Sequence, residues 1–497
     1  MVEKILIANR GEIACDLISF FRLKKKKTVL VVSTEDETSL AARIADRVVF
    51  SGEGHRIYRD AQKIVKAAQE EKCDSLHPGY GYLASSPELA GLCEERKIMF
   101  FGPQASQLER ARNRNGILEQ AGQLGVRTVE HSGLLYNTSE ASPAAVKFGF
   151  PLSVIPNFGY LNYGIQYCGK NSEFKDKFLL SQKESFSLLG NQEVYLERYY
   201  PGGYTIEVPF AKSGSGSVVI FPEINTSARS HFKKIILESP APFLDQKKRS
   251  RLYEIAMKIL AGFDFCSVGS LEFVVTDDFL FSCLNPFIPL GYQLLLKNYG
   301  VDFRELQLQI AETGKFEPFS IQEGNYGIES RIYAERWQDN FRPCSGAVQD
   351  FSIGFDPLAA GAFFSTPLLP GEMIGIGDYP FLGKLVVSGK IRSEVIEHTC
   401  LALDCLFLKG LVNNATFIRN LITSKYFQEG RLTMDFIDQQ LKHKQFRKYL
   451  EDSETAAQLA AALLEKRNPT AASKKPQARE SIWSAMGRLS LMQKRGL

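Results

Sequence analysis

Two hydrophobic periods share the opening of the chain. Lys4–Ala8 is a short apolar run and Thr28–Val32 a second one rich in β-branched residues. Between them, Glu12–Phe21 repeats apolar positions at helical spacing. Strand and helix patterns then alternate as far as Gly102, which predicts an α/β domain with a parallel sheet. Arg110–Gly125 reads as one helix, and short strands within Ala145–Ile155 and Glu193–Arg198 predict a small separate lobe. Longer strands follow at Thr205–Ala211, Ser217–Phe221, Gly269–Val275 and Phe279–Cys283, with helices at 246–262 and 301–313, an α+β pattern. The C-terminal stretch differs. Glu454–Arg467 is rich in Ala and Leu, Asn468-Pro469 stops that helix, and 471–479 reads as a linker. Ile482, Trp483, Met486, Leu489 and Met492 then recur at helical spacing.

Composition changes this picture little. A chain of 497 residues is too long for one ordinary core and implies two to four domains. Its 60 basic and 56 acidic side chains leave a formal charge of +4, too balanced to imply a nucleic-acid or membrane partner. No apolar run approaches the ~20 residues that span a bilayer. Nine cysteines without C-x-x-C spacing point to neither a zinc site nor a disulfide framework. With no signal-peptide pattern at the start, a cytoplasmic protein with reduced thiols is expected.

Specific strings carry more. Ile7-Ala8-Asn9-Arg10-Gly11-Glu12-Ile13-Ala14 and His77-Pro78-Gly79-Tyr80-Gly81-Tyr82-Leu83 come first. Tyr195-Leu196-Glu197-Arg198-Tyr199, Glu238-Ser239-Pro240-Ala241-Pro242, Gly269-Ser270-Leu271-Glu272-Phe273, Arg331-Ile332-Tyr333-Ala334-Glu335 and Gly383-Lys384-Leu385 follow in order. Up to about residue 445 the chain resembles biotin carboxylases, the ATP-grasp subunit or domain of biotin-dependent carboxylases. The resemblance implies an α/β and α+β architecture: a Rossmann-like N-terminal domain over 1–112, a connecting helix over 113–127 and an ATP-grasp lid over 128–200. The ATP-grasp body with the biotin carboxylase C-terminal domain would occupy 201–447, and a helical tail with its linker 448–497. It also implies a reaction that uses ATP, magnesium, bicarbonate and carrier-bound biotin.

Measured against that family, the chemical positions are those that differ. An apolar strand ends in Ile155 where the family has a lysine, and Tyr160, Leu161 and Tyr163 interrupt the glycine run that would bring backbone N–H groups to phosphates. Where the family has a magnesium-bridging glutamate, a catalytic arginine and a glutamate base, this chain has Cys283, Phe287 and Gly291. Phe232 replaces a histidine, and Tyr379 an aspartate. Glu272 and Asn285 remain as vestigial metal ligands, and Lys234 and Arg331 as vestigial bicarbonate or biotin contacts. Arg114, Glu197 and Arg198 are candidate nucleotide contacts. Each has a plainer alternative: a hydrogen-bonded strand residue for Glu272, a carboxylate partner such as Glu335 for Arg331, and a solvated basic helix for Arg110, Arg112 and Arg114. Cys283 reads either as a small buried hydrophobe or as a reactive thiol. Ala256-Met257-Lys258-Ile259 imitates a biotin-attachment site, but its helical pattern places Lys258 on no hairpin tip.

The expectation is therefore a catalytically inactive biotin carboxylase-like subunit, structural or regulatory, in an acyl-CoA carboxylase complex, with no cofactor of its own. Its partners would be itself, an active biotin carboxylase or other carboxylase subunits. The alternatives are an active enzyme with an altered site and a nucleotide or anion sensor that re-uses the cleft.

Overall fold

The computed structural model describes residues 1–442 apart from 159–162, 231, 318, 320, 322–323, 354–360 and 376–379. The C-terminal segment singled out above, with Trp483, lies outside the described residues, as does Tyr379. Among the described residues no helix is long and apolar enough to cross a membrane.

The first unit is a five-stranded parallel sheet in the order Arg47–Phe50, Lys27–Val32, Lys4–Ile7, Ser75–His77 and Met99–Phe100. Its central strands bury Ile5, Leu6, Ile7, Leu30 and Leu76 on both faces, so they read as apolar runs. Helices Gly11–Leu23, Ala61–Glu70 and Pro87–Glu95 pack around it. Asn9 joins the first two sequence strings, its side-chain amide donating to the carbonyls of Pro78 and Tyr80 at 2.7 and 2.9 Å. Gly79 sits between those carbonyls at φ +70°, where a Cβ would meet Asn9 at 2.7 Å.

Two expectations need correction. The stretch 110–125 is not one helix but the end of Ala105–Arg112 followed by Arg114–Gln123. Asn113 breaks the run because its Oδ1 accepts from Gly116 N at 3.0 Å, capping the second helix instead of continuing the first. Residues 145–148 are not strand: Thr138–Phe148 is a helix capped by Asn137, and the strand begins at Leu152. That strand, Leu152–Pro156, is central in an antiparallel three-stranded sheet with Gln166–Cys168 and Val194–Arg198. Helix Asn171–Leu189 covers it, burying Phe174 and Phe178 against Leu152 and Val154.

The largest unit is one nine-stranded sheet. Its path runs Phe279–Asn285, Ser267–Val275, Tyr204–Lys212, Ile224–Asn225, Ile236–Ser239, Tyr326–Tyr333, Phe381–Gly389 and Ala362–Ser365, with Val218–Ile220 paired to Tyr204–Lys212. Helix Gln246–Gly262 matches expectation, whereas the second expected helix is preceded by a separate one, Tyr292–Tyr299, before Phe303–Thr313.

The parallel unit meets this sheet through buried charge. Lys384 Nζ lies 2.6 Å from Glu12 Oε1, and neither side chain is exposed. The Tyr80 hydroxyl donates to the other Glu12 oxygen at 2.7 Å, and the Tyr292 ring lies 4.1 Å from Nζ. Arg304 bridges Asp16 and Asp302 at 2.7 and 2.8 Å. Burial opposes ionisation of Glu12, but Lys384 outweighs it and holds the carboxyl below its ordinary range. Removing one member leaves the other charge buried and unpaired. Lys384→Met is therefore expected to lower unfolding free energy by about 3–5 kcal/mol in urea titrations. The double variant Glu12→Leu with Lys384→Met should recover most of that loss, and a double variant no better than the single one would show that the pair is not the coupling unit.

Candidate functional site

A cavity of about 290 Å³ opens between the small lobe and the large sheet. The lobe contributes Ser153, Ile155, Tyr163 and Ile165, and the connection to the body contributes Tyr199 and Tyr200. A two-stranded hairpin, Arg229–Ser230 against Lys233–Lys234, forms one wall, and the sheet supplies Glu272, Val274, Cys283 and Asn285. Of the residues singled out from the sequence, Arg114, Ile155, Glu197, Arg198, Phe232, Lys234, Glu272, Cys283 and Asn285 all line this cleft.

Strand register explains its chemistry. Glu207 lies directly opposite Glu272 on the neighbouring strand, and Glu272 opposite Cys283 on the next. Two carboxylates in register repel unless a cation lies between them. Lys234 is that cation: its ammonium donates to Glu207 and, at 2.9 Å, to Glu272 Oε2. Burial opposes the charge on Glu272, but Lys234, with Arg229 and Arg114, holds the carboxyl below its usual range. Burial also opposes the Lys234 charge, yet Glu207 and Glu272 raise its pKa. Asn285 donates to Ser270 Oγ at 3.3 Å. Burial pushes the Cys283 thiol up to about 11, so it stays protonated and unreactive at neutral pH.

The remaining positions are repacked. Ile155 is buried in the core that contains Tyr195, Ile117 and Ala111. At Gly291 a Cβ would lie 2.7 Å from Ile224 Cδ1, so a side chain there would need that methyl to move. Phe287 is buried and does not line the cleft. Arg331 is buried as well: it pairs with Glu329 at 2.8 Å, donates to the Tyr333 hydroxyl at 3.1 Å and lies over the Phe381 ring. The expected partner Glu335 instead pairs with Lys233. Arg110 is a solvated residue paired with Asp264, and Arg112 lies 4.9 Å over the Phe158 ring.

Sequence reasoning missed Glu207, Arg229, Lys233 and Tyr195. Glu207 carried a usable signal, because a lone acid inside the apolar run Tyr204–Lys212 needs a buried cation. Arg229 carried none, since nothing in its neighbourhood predicts a tight hairpin.

The geometry defines a lidded cleft on an antiparallel sheet beside a parallel nucleotide-binding-type domain, an ATP-grasp arrangement. Three family models match the chain in order: "Biotin carboxylase, N-terminal domain" over residues 1–108, "Carbamoyl-phosphate synthase L chain, ATP binding domain" over 113–318 and "Biotin carboxylase C-terminal domain" over 329–439. The chain is a biotin carboxylase-like protein, related to acyl-CoA carboxylase subunits. It is 29% identical over 452 residues to the biotin carboxylase of Halalkalibacterium halodurans, covering 89% of this chain and 99% of that one. It is also 29% identical over 446 residues to the mitochondrial methylcrotonoyl-CoA carboxylase subunit alpha of Glycine max, covering 88% of this chain but only 60% of that subunit's length. Among solved structures, the biotin carboxylase domain dimer of Hydrogenobacter thermophilus 2-oxoglutarate carboxylase matches with a TM-score of 0.83 at 26% identity, over 88% of this chain and 98% of that one. Biotin carboxylase from Campylobacter jejuni gives 0.82 at 25%, over 88% and 99%.

Glu197 supplies a pH test. Burial raises its carboxyl to about 7, against the opposing pull of Arg114 and with support from Glu272. A carboxyl with a raised native pKa contributes its stability below the unfolded value and loses it as pH climbs through the native one. The window here runs from the ordinary carboxylate range to about 7. Glu197→Gln should therefore gain on the parent protein across that window, by roughly 1–2 kcal/mol given the solvent in the cleft. Thermal unfolding at a series of pH values checks it, and parallel pH profiles for the two proteins would refute the assignment.

Proposed function

We propose that this chain is a catalytically inactive biotin carboxylase-like subunit with a structural or regulatory role in an acyl-CoA carboxylase complex. The observation that carries this reading is that Ile155, Cys283, Phe287 and Gly291 supply neither ligand, cation nor base around Glu272, which Lys234 holds together with Glu207. An internal ammonium there satisfies the carboxylate that magnesium would require, and the opposing strand offers Cys283 in place of a second hard ligand. Magnesium therefore does not fit these residues, and no step is assigned to it. Ile155 brings no charge to a triphosphate, Phe287 offers no cation for developing negative charge, and Gly291 offers no base.

The relatives support an assembly role. One is a carboxylase subunit alpha and another structure is described as a domain dimer. A second copy of this chain, an active biotin carboxylase or other carboxylase subunits are the partners proposed, and cytoplasmic residence goes with them. ATP, bicarbonate and biotin would then be handled by the partner.

ATP hydrolysis dependent on biotin and bicarbonate should be undetectable, because loss of a single donor or base costs roughly 10²–10⁴ in rate and several are lost together. Turnover within about tenfold of an ordinary biotin carboxylase, measured by phosphate release, would sink the proposal. The apolar positions around Trp483 make residues 468–497 the region to delete in testing assembly. Deletion should release a partner or change the oligomer on light scattering, and an unchanged mass with the same co-purifying proteins would count against a role for that segment.

A further inference from the structure

The cations of the cleft are not equally satisfied. Lys234 is held by Glu207 and Glu272, Lys233 by Glu335 and Arg198 by Glu130. Arg229 makes no ion pair with any described carboxylate, although it is only 7% exposed and lines the cavity. Its one side-chain hydrogen bond among the described residues is long, from Nε to the Met434 carbonyl at 3.4 Å, and its guanidinium lies 5.3 Å from the centre of the Phe232 ring. Glu272 and Glu197 act on this guanidinium only from beyond ion-pair distance, which leaves part of its desolvation cost for an incoming anion to offset.

A second observation concerns Phe232, which closes the same hairpin at φ +64°. That backbone region is disfavoured for a bulky residue and persists only where the surroundings impose it. The conformation presents the ring to Arg229 on one side and to the edge of Tyr199, centroids 6.4 Å apart, on the other. Tyr163 and Ile165 from the lobe and Met434 from the body line the same cavity.

We propose that the cleft binds a small carboxylate borne on an aromatic ring. The carboxylate pairs with the Arg229 guanidinium, and the ring lies among Phe232, Tyr199 and Tyr163. A planar carboxylate matches the two parallel donors of a guanidinium, and aromatic walls accept a flat apolar body. A polyphosphate is a poorer occupant than a single carboxylate, because each of its further charges would meet the repulsion of Glu197 and Glu272 in a small space whose Lys233, Lys234 and Arg198 are already paired. At about 290 Å³ the cavity also lies near the lower limit of ligand pockets. The assignment rests on the reading that the cleft no longer works on ATP. Because the lobe and the hairpin both line the site, an occupant would fix one against the other.

Calorimetric titration and thermal-shift measurements on the full chain with benzoate, phenylacetate and indole-3-acetate test this, with benzamide as the neutral match and MgATP as the competitor. At least one carboxylate should bind in the millimolar range or tighter, at least about tenfold tighter than benzamide, and Arg229→Gln should weaken it by a similar factor. Phe232→Gly, which relieves the backbone while removing the ring, should weaken it too, so the test survives if the arginine variant misfolds. Binding by none of the three carboxylates overturns the proposal, as does equal binding of benzamide or indifference to both substitutions. MgATP that binds and is turned over with biotin overturns the inactive-subunit reading and this inference together. Silence from MgATP and the carboxylates alike overturns only the inference.

Discussion

The fold depends on one buried ion pair. Glu12 belongs to the first helix of the parallel unit and Lys384 to a strand near the far end of the nine-stranded sheet, yet their charged groups meet where neither touches solvent. An isolated charge in that position would not be tolerated, so each side chain dictates where the other must be. Tyr80 and Tyr292 complete the site, which brings together four stretches distant in sequence. The same geometry gives a physical reason for strings such as Arg10-Gly11-Glu12 and Gly383-Lys384-Leu385 to be recognisable: they hold the units in register and do not belong to the cleft.

The cleft obeys a different constraint. Lys233, Lys234 and Arg198 are satisfied by the protein's own carboxylates, where a substrate complex would leave such charges available. Lys234 neutralises two carboxylates in register, Ile155 joins the apolar core, and Ile224 lies beside Gly291. Ile155 pairs with Tyr195 in the lobe sheet and Cys283 with Glu272 in the large one, because side chains on the cleft face of a sheet can change while its ladder is kept. Scaffold and site are therefore separable here at the level of individual positions.

Much of the architecture was legible because it rests on period and on apolar runs. Strands Lys4–Ile7, Lys27–Val32 and Ser267–Val275 and helix Gln246–Gly262 fall within a residue or two of the patterns that predict them. The failures are local. Asn113 ends a helix through its own side chain, a competition that helical periodicity does not register. Asn137 starts a helix in a stretch whose Val146 and Phe148 also suit a strand. At the site, the resemblance located most of the lining residues, but partners came only with register. Nothing in the sequence sets Lys234 between Glu207 and Glu272, or sends Arg331 to Glu329 in preference to Glu335. Hairpin Arg229–Lys234, with a phenylalanine at positive φ, was invisible for the same reason.

The nine-stranded sheet has a practical corollary. The second and third matched family regions meet between residues 318 and 329, which invites division of the chain there. Yet Ile236–Ser239 on one side of that boundary is hydrogen-bonded along its length to Tyr326–Tyr333, largely on the other side. A cut at that boundary would leave two part-sheets, each with a buried strand suddenly at its margin: the four residues of Ile236–Ser239 on one and the eight of Tyr326–Tyr333 on the other. Unpaired backbone groups of that kind recruit other chains, so fragments made there would be expected to precipitate or to find each other again, and expression of the halves would report on stickiness more than on autonomy.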